Sequence, residues 1–250
     1  MPTGRWSRVE VAGHECEVYE PPRPSEHGFT VIYLHGVHLN SLADNEAFCA
    51  EFDRYGLRVI APRAGRCWWA DRICPEFDPR ITPFDYVRQD VVSYLAETRG
   101  IRPPAIALLG TSMGGQGALR LAFRQPNTFP IAAAISPAID FQWRYDEPGD
   151  DYEAMRAMYD DAEAARQDTA TLHVHPLNWP RNLWFACDPA DDPWHESTAK
   201  LRMKLAALGI PHEYDLETTA GGHGFGYYNR MAPAAIKFLA ERLDQERRRV

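Results

Sequence analysis

A serine with a glycine at each second neighbour, Gly110-Thr111-Ser112-Met113-Gly114, lies between an apolar run, Ala105 to Leu109, and a helix-like run, Gln116 to Gln125. That spacing at a strand-to-helix junction marks a turn too tight for side chains at its flanks. Such a turn lifts the serine oxygen clear of a sheet and puts the next backbone N–H at a helix N-terminus, where it can hold an oxyanion. The chemistry it suits is nucleophilic attack on an acyl carbon. That attack needs a base, and the base needs a carboxylate to orient it.

Histidines after Ser112 stand at His173, His175, His195, His212 and His223. Of these, His223 lies in a loop of small residues, Ala220-Gly221-Gly222-His223-Gly224, between a strand-like stretch (His212 to Leu216) and the final helix. Glycines there let an imidazole reach the elbow without obstruction, so His223 is the expected base. For the carboxylate, the turn after the strand-like Leu183 to Cys187 offers three aspartates, in Asp188-Pro189-Ala190-Asp191-Asp192-Pro193. Asp188 precedes a proline and can shape the turn; Asp192 can cap the helix that starts after it. Asp191 is the preferred acid, with Asp192 and Asp188 as alternatives.

Two backbone donors are expected for the oxyanion: Met113 N–H, directly after the nucleophile, and Val37 N–H, after His35-Gly36. Trp68 and Trp69 offer large apolar area with a polar edge, suited either to walling a substrate pocket or to anchoring a surface loop. His173-Val174-His175 puts two rings on one side of an extended segment. With no third ligand nearby the reading is polar packing, and no metal site is assigned.

Positioning these groups calls for alternating strands and helices. Phe29 to Leu34, Leu57 to Ala61, Ala105 to Leu109, Ile131 to Ile135 and Leu183 to Cys187 are short apolar runs, as strands buried on both faces require. Between them run helical stripes: Phe84, Val87, Val91 and Leu95; then Leu201, Leu205 and Leu208; then Ile236, Leu239 and Leu243. The pattern predicts an α/β fold, a mostly parallel central sheet with helices on both faces. Trp6 to Tyr19 is expected to lead in as one or two antiparallel edge strands. Pro62 to Pro83 is too irregular for a regular element. A small cap-like insertion is expected at about 141–180, with Tyr152, Met155 and Tyr159 on one helix face, inside a single domain spanning 1–250.

The 250 residues are 45% hydrophobic and 25% charged, ordinary values for a soluble globular chain. A net charge of −8 with scattered Lys and Arg argues against a nucleic-acid partner. The basic run at Glu246 to Arg249 reads as a solvated helix end. No apolar run approaches a membrane span and the N-terminus has no signal-peptide core, so no membrane partner is expected. Cys16, Cys49, Cys67, Cys74 and Cys187 are odd in number and widely spaced, which points to a reduced, cytoplasmic protein. Homo-oligomerisation is left open.

Together, His35-Gly36, Gly110-x-Ser112-x-Gly114-Gly115, the aspartate turn and Gly222-His223 resemble the α/β-hydrolase superfamily, over about residues 29 to 245. The stretch Ser112-Met113-Gly114-Gly115-Gln116-Gly117-Ala118-Leu119 is similar to the esterase D group, which includes S-formylglutathione hydrolases and carboxylesterases. The resemblance implies Ser112 as nucleophile, His223 as base, Asp191 as acid, and Val37 and Met113 as oxyanion donors. The expected chemistry needs no cofactor and acts on a small-molecule ester, and a short cap with no long lid favours a small or medium acyl group. The alternatives are an acyltransferase or thioesterase using the same triad, and a non-catalytic binding protein on the same scaffold.

Overall fold

Central parallel strands must be apolar on both faces, and four segments of this chain are buried from end to end: Thr30–Leu34, Ile106–Thr111, Ile131–Ile135 and Asn182–Ala186. In the computed structural model, which describes residues 3–149 and 152–249, they form the middle of an eight-stranded sheet. In chain order the strands are β1 (Arg5–Val11), β2 (His14–Glu20), β3 (Thr30–Leu34), β4 (Arg58–Pro62), β5 (Ile106–Thr111), β6 (Ile131–Ile135), β7 (Asn182–Ala186) and β8 (Glu213–Asp215). Their spatial order is β1-β2-β4-β3-β5-β6-β7-β8. β1, β2 and β4 pair antiparallel, as expected for the leading hairpin, and every pairing from β4 through β3 to β8 is parallel.

Helices cover both faces. They are α1 (Glu46–Tyr55), α2 (Pro83–Asp85), α3 (Val92–Arg99), α4 (Met113–Arg124), α5 (Phe141–Asp146), α6 (Tyr152–Met158), α7 (Ala162–Gln167), α8 (Trp194–Ala207) and α9 (Phe225–Arg247). A π-helical turn, Tyr86–Val91, joins α2 to α3, and Phe84, Val87, Val91 and Leu95 all turn inward along this stretch. One apolar layer includes α4 and the 62–83 loop; the other includes α1 and α9. Two expectations need correcting. Leu208 caps the end of α8 and is exposed, so it does not extend the stripe of Leu201 and Leu205. Glu246 is buried and ion-paired with Arg181 at 2.5 Å, so the chain end is docked through it.

The segment around 141–180 holds α5, α6, α7 and a 3₁₀ turn, Ala170–His173, packed over α4. Met155 and Tyr159 face inward, as their spacing predicts. The tie to α4 is ionic. Fully buried Arg120 donates from Nη1 to Asp168 Oδ1 at 2.7 Å, and Tyr159 donates to Asp168 Oδ2 at 2.7 Å. Burial works to raise the Asp168 pKa, but His173, Arg120 and Tyr159 together hold it far below the usual carboxylate range. His173 Nε2 sits 3.1 Å from Asp168, and His175 Nδ1 accepts from Leu177 N–H at 3.1 Å. Both histidines are therefore used in polar packing.

Candidate active site

The backbone at Ser112 has φ 55° and ψ −122°, a conformation that side chains rarely adopt. Its surroundings explain how it is held. A Cβ on Gly110 would run into the Gly114 carbonyl, and one on Gly114 would run into that of Leu34. Strand β5, helix α4 and strand β3 thus meet where only hydrogen fits. Ser112 N–H donates to Ile135 O at 3.0 Å, which pins the turn to β6.

His223 reaches this point from the loop before α9. Its Nε2 lies 2.8 Å from Ser112 Oγ and its Nδ1 lies 2.8 Å from Asp191 Oδ2. A carboxylate can only accept, so Nδ1 carries the proton and Nε2 presents its lone pair to the serine hydroxyl. Asp191 is 2% exposed, and its Oδ1 is buried with no partner among the described residues. Asp192, by contrast, is exposed, and it does not cap α8, whose N-cap is Pro193 without a side-chain bond.

Asp188 does more than shape its turn. It is fully buried, accepting Ala190 N–H at 2.8 Å on Oδ1 and, on Oδ2, Ala220 N–H at 2.6 Å and Gly222 N–H at 2.9 Å. Burial acts to raise its pKa, yet these backbone donors hold it below the ordinary carboxylate range. It ties the loop carrying His223 to the turn carrying Asp191. No local signal announces this, because the donors are 32 and 34 residues away.

Val37 lines the same pocket as Ser112, and Met113 follows the serine directly. Met113 is the first residue of α4, and Val37 follows Gly36, where a Cβ would stand 3.2 Å from Ser112 Cβ. His35 braces this loop. It accepts Ala64 N–H on Nε2 at 3.2 Å and donates from Nδ1 to Gly36 O at 2.9 Å. Burial pushes its pKa down to about 4, so it is a neutral strut.

Two lobes open beside Ser112. The first, about 200 Å³, is lined by Val37, Asn40, His223, Phe225 and Tyr228. The second, about 250 Å³, is lined by Trp68, Trp143, Arg144, Asp192 and Trp194. Trp68 is thus a pocket wall. Trp69 corrects the expectation for the pair: it is not among the residues lining either lobe. Its fully buried indole donates to His35 O at 3.1 Å, and it packs where a Cβ on Gly117 would come within 2.5 Å of its own Cβ. Trp68 N–H also points at Met113 Sδ, 3.3 Å away. The irregular loop is therefore seated on the helix that carries the elbow.

Tyr228 escaped sequence reasoning, since an aromatic on α9 reads as core. It is buried, lines the first lobe with Ser112, and meets the His223 ring edge-on at 5.6 Å. Burial pushes its phenol well up, while hydrogen bonding with Ser112 acts the other way.

Among the described residues no group of three His, Cys, Asp or Glu side chains could hold a metal ion, and no helix is long and apolar enough to cross a membrane. Residues 14–231 match the sequence model of the family described as "Putative esterase". No curated protein matches the chain. Among solved structures it is similar to FphF, a Staphylococcus aureus fluorophosphonate-binding serine hydrolase, with TM-score 0.76, 17% identity, and 95% of this chain and 99% of that one covered. It is also similar to a ferulic acid esterase, with TM-score 0.73, 15% identity and coverage of 96% and 97%. An S-formylglutathione hydrolase from Agrobacterium tumefaciens gives TM-score 0.70 and 19% identity, with coverage of 96% and 94%. With its α/β-hydrolase fold, the chain belongs to this esterase family and is a hydrolase of the carboxylesterase type.

Proposed function

We propose that Ser112, His223 and Asp191 are the catalytic triad, cleaving carboxylic esters of small or medium acyl groups through an acyl-enzyme. The observation that carries this reading is the unbroken run of two 2.8 Å contacts from Asp191 through His223 to Ser112, at the mouth of two lobes. His223 Nε2 takes the serine proton as Oγ attacks, and Asp191 stabilises the imidazolium that forms. Met113 and Val37 N–H groups receive the negative charge on the carbonyl oxygen. The imidazolium then protonates the departing alcohol, and water repeats the sequence in reverse to free the acid. Lobes of about 200 and 250 Å³ favour short substituents over long lipid chains.

The test is a panel of esters differing in acyl length, assayed with wild type and Ser112→Ala. Turnover concentrated on short and medium acyl groups, falling by roughly a million-fold in the variant, is expected. Turnover retained by folded Ser112→Ala would overturn the nucleophile assignment.

A further inference from the structure

The two lobes differ in what they offer a substrate. The first mixes the Asn40 amide and Tyr228 phenol with Phe225, whereas three indoles converge on the second: Trp68, Trp143 and Trp194. Trp143 and Trp194 stand edge to face, with ring centroids 5.0 Å apart and planes 83° apart. Both backbones are fixed. The Asp140 carboxylate caps α5 by accepting Trp143 N–H at 3.0 Å, and Trp194 O accepts the hydroxyls of Ser197 and Thr198 at 3.0 and 2.7 Å. Trp68 is 2% exposed and in edge contact with Phe141, ring centroids 5.2 Å apart. Trp143, on α5, is 36% exposed and through that exposure lines the lobe from its side open to solvent.

Accepting the ester chemistry proposed above, we propose that this second lobe is a subsite for an aromatic ring carried by the ester. An indole wall meets a flat ring through edges and faces at centroid separations of about 4.5–7 Å, an attraction that adds to simple area burial. An alkyl chain gains only the area. Size agrees: roughly 150 Å³ suffices for benzene in an apolar cavity, and about 250 Å³ leaves room for a ring and its short link to the scissile carbonyl. Held edge-on by the fixed pair, the ring would fix the ester's approach to Ser112, which lines the same lobe.

The ring can belong to the acid or to the alcohol, and paired substrates separate the two. Methyl phenylacetate is compared with methyl hexanoate, and benzyl acetate with hexyl acetate, by the ratio of kcat/KM within each pair. In wild type, one pair is expected to favour the aromatic member about tenfold. Trp143→Ala should bring that ratio close to one, and Trp143→Phe, which keeps a ring, should restore most of it. Thermal melts show that each variant folds. Calorimetric titration of the same four esters into Ser112→Ala, with and without Trp143→Ala, reads binding without turnover. Ratios near one in both pairs of wild type, or a ratio that Trp143→Ala leaves unchanged, overturn the subsite while the hydrolase reading stands. Aromatic-selective, Trp143-dependent binding with no ester turned over overturns the hydrolase reading while the subsite stands.

Discussion

Removing the Asp188 carboxylate should damage stability and catalysis together, because that one side chain binds two loops. Its oxygens accept three backbone N–H groups, from Ala190, Ala220 and Gly222, and it is fully buried. In Asp188→Ala three donors lose a charged acceptor, and each buried donor left unpaired costs about 1–3 kcal/mol. Allowing for relaxation and entry of water, the loss is on the order of 4 kcal/mol, a large part of the roughly 5–15 kcal/mol a domain of this kind has. The melting temperature should fall by roughly 10 °C. Asp188→Asn keeps one acceptor oxygen and should lose about half as much. Gly222 immediately precedes His223, so slackening its tether moves the imidazole. A displacement near 1 Å costs about a hundredfold in rate. The folded-state pKa of Asp188 is depressed, so its contribution is complete above the ordinary carboxylate range and is lost as pH falls through the folded value. Melting curves and kcat at saturating ester would be measured for both variants at neutral pH. If Asp188→Asn melts within a degree or two of wild type and turns over within twofold of it, the tether is not what holds His223.

Other consequences follow from the same geometry. Asp191→Asn keeps the shape but lets the imidazole settle in the wrong tautomer, costing about ten-thousand-fold in kcat, whereas exposed Asp192→Asn should stay within a few-fold of wild type; steady-state kinetics on folded variants decide between them. Tyr228→Phe keeps the ring against His223 but removes the hydroxyl beside Ser112, so kcat/KM should drop about fivefold with little change in melting temperature; an unchanged kcat/KM would leave the phenol without a part in the reaction. His35 is held neutral, with its folded pKa near 4 against about 6.5 unfolded, so the stability it contributes is complete above pH 6.5 and declines between pH 6.5 and 4. Urea titrations over that range should show stability falling as pH drops towards 4 in wild type, and falling noticeably less in His35→Asn.

What could be read in the chain was read where the constraint is local. Gly110 and Gly114 must lack side chains because three backbones touch at the turn, and that need is written in adjacent residues. His223 stood out for the same reason, with glycines on either side to free its approach. The strands were legible because burial on both faces demands unbroken apolar runs, and Ile131–Ile135 matches to the residue. What escaped depends on partners far along the chain. Asp188 resembles any turn aspartate until Ala220 and Gly222 are folded against it. Trp68 and Trp69 are neighbours, both in the left-handed backbone region, yet one faces the pocket and the other the groove left by Gly117. Helix α1 is not among the elements read from the sequence, although Asn45 caps its start and Phe48, Cys49 and Phe52 give it a buried face. Glu246 looked solvated because Arg181 is 65 residues away.

The central claim is that Ser112 is a nucleophile activated by His223 and Asp191. It is tested most directly by treating the protein with a fluorophosphonate and mapping the adduct by peptide mass spectrometry. A single adduct on Ser112, with ester turnover falling in proportion to labelling and both slowed drastically in Asp191→Asn, is the predicted result. No adduct on an active protein, or an adduct on another residue while turnover persists, would contradict it.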